Sequence, residues 1–164
     1  MLNIIIGNLC SLLAMITDSI SSTRKSTKEV LLFQSLSQII YCVGTVILKG
    51  YSGAVQNLVS LFRNIFALSG KKSKTLEWVF VALGLVLGVA LNNLGLMGLL
   101  PVIANFQYTI AIFRFKDNER ALKISFLICV AMFIGFNAVI YNVVGVISNT
   151  VIFITTAAAI IKKK

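Results

Sequence analysis

The side chains of this chain that could do chemistry are amides, two phenols and one guanidinium: Asn57, Asn105, Asn137, Asn149, Gln38, Tyr41, Tyr108 and Arg63. All lie in apolar surroundings, where a polar group needs a partner or a ligand. An amide offers donors and an acceptor together, which suits a hydroxyl, amide or carbonyl group on a neutral solute. The same groups can instead bond neighbouring helices and serve packing alone. Both uses stay open.

Spacing sorts these residues onto helical faces. Asn105 and Tyr108 share a face with Pro101 one turn earlier. Pro101 removes one helical hydrogen bond, which predicts a kink and a carbonyl free for a solute or a packed neighbour. Gln34, Gln38 and Tyr41 line another face, and Asn137 and Tyr141 a third. Arg63 has three roles open to it: its stem can carry the charge to the interface, or the guanidinium can bond a helix or contact an anionic group or substrate.

Enzyme chemistry lacks its parts. The chain has no histidine, and Ser11, Ser35, Ser37 and Ser60 have no identifiable base. Cys10, Cys42 and Cys129 show no metal-ligand spacing and read as small packing residues. The expectation is a protein without catalytic residues, cofactor or metal. Gly84 and Gly88 read as close helix packing or a homodimer surface. Asp18 is expected to pair with a basic residue, and with Asp117 and Glu119 it lies too peripherally for a proton relay.

The elements that must hold these groups follow from hydropathy. The chain is 58% hydrophobic and 12% charged, against about a quarter charged in soluble domains. Stretches 78–113 and 124–161 are uncharged, and each exceeds the roughly 20 residues that cross a bilayer, so each predicts two helices and a turn. Seven spans are predicted at 2–20, 30–48, 51–69, 76–93, 95–113, 121–141 and 143–161. Turn-forming residues stand at Gly50, at 92–95 and at Asn142. The fold class is an all-α membrane protein, one membrane domain over 1–164.

Basic residues fall on alternate connections: Arg24, Lys25 and Lys28; Lys71, Lys72 and Lys74; Arg114, Lys116, Arg120 and Lys123; and the C-terminal Lys162, Lys163 and Lys164, with only Lys49 on the opposite side. This predicts an outside N-terminus and a cytoplasmic C-terminus. The net charge of +10 therefore reads as topogenic signal and attraction to membrane lipid, not as a nucleic-acid surface.

A shift of 92 residues lays Gly53-Ala54-Val55-Gln56-Asn57 over Gly145-Val146-Ile147-Ser148-Asn149, and Arg24, Lys28 and Tyr41 over Lys116, Arg120 and Phe133. The overlay predicts two three-helix repeats, 1–72 and 95–164, with a linker helix in 73–94. An odd number of spans per unit plus one between them leaves the units parallel, a 3+1+3 arrangement. Asn57 and Asn149 would then face each other across the axis between them.

The Arg24-to-Lys28 connection, Tyr51-Ser52-Gly53-Ala54 followed by Ser60-x-x-Arg63, Leu100-Pro101-Val102-Ile103, and the 137–149 segment with Tyr141-Asn142 and Gly145 resemble bacterial inner-membrane proteins of the YgjV type. The resemblance implies a location in the inner, cytoplasmic membrane and carries no catalytic motif. The 3+1+3 layout is also similar to that of SWEET sugar transporters and PnuC vitamin transporters. The Pro-Gln pair of the PQ-loop relatives is missing, since Pro101 is the only proline, which counts against a sugar. The function expected is a carrier of a small, neutral polar solute working by alternating access. The alternative is a non-transporting scaffold or accessory protein whose polar residues fix helix packing.

Overall fold

A computed structural model describes residues 1–22, 27–69, 73–114 and 119–162. Arg24, Lys25, Lys71, Lys72, Lys116, Asp117, Lys163 and Lys164 lie outside the described residues. These form seven long helices and one single turn: α1 Leu2–Ser22, α2 Thr27–Ile47, α3 Tyr51–Leu68, α4 Lys74–Ala90, α5 Gly95–Gly98, α6 Leu100–Arg114, α7 Glu119–Val139 and α8 Val143–Lys162. The protein is an all-α bundle. One helical segment, Leu2–Ser21, is by itself long and apolar enough to cross a membrane, and shorter apolar helices follow it.

The outside of the bundle is apolar. On α8, Val143, Ile147, Val151 and Ile154 are exposed in a single stripe, and on α2 so are Leu32, Leu36, Ile39 and Val43. Such faces are unstable against water and stable against lipid. The inward faces carry small residues instead. Ser11, Ala14 and Ser21 on α1 are buried, and a Cβ added to Gly44 on α2 would lie 2.8 Å from Cys10 Cβ and 3.1 Å from the Gly7 carbonyl oxygen. Small side chains let the two backbones approach this closely.

Helix α2 packs between α1 and α3, and α7 packs between α6 and α8. Contacts of α1 with α8 and of α3 with α6 join the two trios, while α4 lies against both α3 and α6.

The turns after α2 and α7 are built alike. Lys49 and Tyr141 take the left-handed conformation, at φ 61° and 57°. The Lys49 and Gly50 amides donate to the carbonyls of Val46 and Thr45, and those of Tyr141 and Asn142 to Ala138 and Asn137. Each is a Schellman ending. The sequence points to Gly50 and Asn142 as the special residues, yet the residue before each carries the positive φ. Gly50 serves space instead: a Cβ there would meet Phe136 Cζ at 2.9 Å. Phe136 forms a buried cluster with Leu48 and Ile140, flanked by Leu94 and Leu100.

The predicted fifth span differs from its expectation. The chain breaks after the α5 turn, and Pro101 stands second in α6. In a first turn the missing N–H has no helical acceptor in any case. Leu99, between α5 and α6, keeps right-handed helical dihedrals at φ −81° and ψ −16°, so Pro101 stands at an interruption within one helical path through Gly95–Ala111, and it is fully buried.

Candidate functional site

Gln56, on the second turn of α3 and only 4% exposed, is an interior amide whose two bonds reach two other helices. Its Nε2 donates to the Gly84 carbonyl of α4 at 2.8 Å, and its Oε1 accepts from Asn105 Nδ2 of α6 at 3.0 Å. One amide thus ties three helices. Glycines make the room: a Cβ on Gly84 would lie 3.3 Å from Gln56 Oε1, and one on Gly88 would lie 2.7 Å from Gln56 Nε2 and 2.6 Å from Val102 Cγ2. The Gly84 and Gly88 face is a close-packing surface used within the chain, so a homodimer would need another face.

Around this clasp stand further polar groups. Asn64, two turns beyond Gln56 on α3, is buried. Tyr108, one turn beyond Asn105, packs its ring on Phe126 of α7 with centroids 5.4 Å apart. Gln107 and Ser125 join α6 to α7 reciprocally, Nε2 donating to the Ser125 carbonyl at 3.0 Å and the Ser125 hydroxyl to Gln107 Oε1 at 2.7 Å. Arg63 is exposed on α3 and lies within electrostatic reach of Tyr108 on α6.

The other predicted site residues sit elsewhere. Asn57 Nδ2 reaches Thr45 Oγ1 on α2 at 3.4 Å, whereas Asn149 Nδ2 bonds the Gly145 carbonyl of its own helix at 2.9 Å. Each of these bonds stays within its own trio of helices. Asn137 accepts from Asn142 Nδ2 at 2.9 Å, and Asn142 in turn accepts from the Gly145 amide at 3.0 Å. Asn137 thereby builds the start of α8. Gln38 and Tyr41 are half-buried on α2, and Tyr41 lies within electrostatic reach of Asp18 on α1. Asp18 itself meets the Ser37 hydroxyl of α2.

Sequence reading singled out Asn105 and missed its partner. Gln56 sits three residues after Gly53 and so shares its inward face, a signal available beforehand. It also missed Asn8, whose Nδ2 donates to the Tyr141 carbonyl at 2.8 Å and whose Oδ1 accepts from the Val144 amide at 3.0 Å. Asn93 binds the Lys49 carbonyl in the same manner at 2.8 Å. Lys49 and Tyr141, the left-handed residues other than glycine among the described residues, are thus each held by an asparagine from another part of the chain.

Among the described residues no group of three His, Cys, Asp or Glu side chains converges. The amides and hydroxyls gathered here can donate and accept hydrogen bonds, and none is placed as an activated nucleophile. A helical bundle with an apolar exterior and amides bonded across its helices defines an α-helical membrane protein. Residues 5–164 match the family Imp-YgjV, bacterial inner membrane protein, and the chain belongs to that family. Membership makes it an inner-membrane protein without an enzymatic signature. No curated protein and no solved structure matches the chain.

Proposed function

We propose that the chain crosses the inner membrane seven times as two parallel three-helix units, α1–α3 within 1–72 and α6–α8 within 95–164, linked by α4 within 73–94. The N-terminus is outside and the C-terminus cytoplasmic. The units carry a small, neutral polar solute by rocking against each other around the groups between α3 and α6. The observation behind this reading is the doubled turn. Every backbone hydrogen bond around Lys49 and Gly50 has its counterpart 92 residues later around Tyr141 and Asn142, from Leu48 to Gly44 and Ile140 to Phe136 through Ala54 to Gly50 and Val146 to Asn142.

The contacts between trios support the same arrangement. A two-fold axis exchanging α1 with α6 and α3 with α8 would turn the α1–α8 contact into the α6–α3 contact, and both occur. The basic residues Lys28, Arg120 and Lys123 lie near one end of the bundle and Lys49 at the other, as the proposed orientation requires. The solute would meet Gln56, Asn105 and Tyr108, which lie where the units meet.

The rival reading, a scaffold or accessory protein, is favoured at Asn57 and Asn149 by their local bonds. Thermal unfolding of the detergent-solubilised protein across sugars, nucleosides, vitamins and amino acids decides between them. The carrier reading expects a saturable rise in Tm that Gln56→Leu and Asn105→Leu abolish while each variant remains folded. No rise across the set, with both variants merely less stable, would support the scaffold.

A further inference from the structure

Five acids occur in the chain. Glu29 lies in the first turn of α2, Glu77 in that of α4, Glu119 opens α7, and Asp117 lies outside the described residues. Only Asp18 stands within an apolar helix away from such a start. Its carboxylate turns inward to the Ser37 hydroxyl, and Ser37 is wholly buried. The same hydroxyl lies 2.9 Å from the Gln34 carbonyl oxygen.

A serine hydroxyl has one hydrogen to give, and here two acceptors compete for it. With Asp18 ionised, Ser37 donates to the carboxylate and the Gln34 carbonyl gets nothing from it, while a half-buried side chain carries a full charge. With Asp18 protonated, its O–H donates to Ser37 Oγ and the Ser37 hydrogen swings to the Gln34 carbonyl. Each polar group then has a partner and the charge is gone. Among the described residues the neighbours offer little to oppose this. On α1 the other titratable side chain is Cys10; α2 presents Tyr41 and Cys42, with Lys28 and Glu29 exposed in its first turn; α8 has no titratable residue in 143–161.

We propose that Asp18, with Ser37 and the Gln34 carbonyl, is a proton-binding site. A proton taken from water at the basic end of the bundle adds to a carboxylate oxygen, and the same proton leaves when that end reopens. Proton uptake and release thus switch the Ser37 hydrogen between the carboxylate and the Gln34 carbonyl. Coupling of this switch to solute movement rests on the carrier reading, but the site does not.

Infrared difference spectra of the protein in phospholipid liposomes, recorded as the pH is stepped down, follow the C=O stretch of a protonated carboxyl. The expected result is a band lost in Asp18→Asn, which keeps the size and hydrogen bonding of the side chain. In Ser37→Ala the band persists at higher frequency, and its half-titration point moves by severalfold in proton concentration. A spectrum that Asp18→Asn leaves unchanged, or a band that Ser37→Ala does not move, overturns the site. The expected band in a protein that no solute stabilises keeps the site and overturns only the carrier reading.

Discussion

Replacing Gln56 and Asn105 by leucine, singly and together, measures whether the clasp holds α3 to α6. Interhelical hydrogen bonds in membrane proteins average about 0.6 kcal/mol and reach about 1.7 kcal/mol. Gln56→Leu removes two, those to the Gly84 carbonyl and from Asn105, and leaves the half-buried Asn105 amide without that partner. A loss of about 1–3 kcal/mol follows. Asn105→Leu removes one bond and leaves Gln56 Oε1 bare, for a loss of about 1–2 kcal/mol.

Each variant strands the other's partner, whereas the double variant strands neither. Its loss should therefore fall short of the sum by about 0.6–1.7 kcal/mol, a factor of roughly 3 to 20 in the unfolding constant. Reversible unfolding in mixed micelles by a denaturing detergent reads all four proteins. Losses that add within about 0.3 kcal/mol would mean that the two amides do not bond, and the clasp would have to be abandoned.

Glycine spacing on α4 gives a graded test. Gly88→Ala, whose Cβ would sit 2.6 Å from Val102 Cγ2, should destabilise by about 1–3 kcal/mol, and Gly84→Ala, nearest atom 3.3 Å away, by clearly less in the same unfolding assay. Lys49→Gly should stabilise by up to about 1 kcal/mol: it relieves a left-handed residue costing about 1–2 kcal/mol and adds glycine's chain-entropy penalty of about 0.5–1 kcal/mol. A lower unfolding midpoint would refute that. Asn8→Ala should speed hydrogen exchange of the Val144 amide severalfold, since Asn8 Oδ1 is its acceptor, with little change at Ala54, which donates to a backbone carbonyl.

Much of this architecture is legible in the sequence because lipid demands it. Long apolar runs punctuated by basic clusters and turn residues have few solutions when every backbone group must be satisfied internally. Helix number and the turns at Gly50, 92–95 and Asn142 follow from that. The limits are local. Pro101 reads as a kink because the apolar run continues through it, and the helix is interrupted two residues earlier, at Leu99, where α5 also meets α3 and α7. Gly50 reads as a turn-forming residue, while the positive φ falls on Lys49 and Phe136 needs the missing Cβ of Gly50 for room. Neither contact is visible until α7 is folded onto α3.

The candidate site was harder to read for a related reason. Aligning Asn57 with Asn149 assumes that matched positions keep matched partners. At the two turns the backbone bonds do match, but the side chains around them do not. Thr45, which meets Asn57, is replaced 92 residues later by Asn137. Asn137 is engaged by Asn142, where the other turn has Gly50, and Asn149 is left to bond the Gly145 carbonyl of its own helix. The amide pair linking the trios is therefore an unmatched one, Gln56 with Asn105, whose positions correspond to Ser148 and Leu13 under the same shift. In the proposed repeat, backbone geometry is kept at the turns while side-chain chemistry differs, and the proposed amide site belongs to the part that differs.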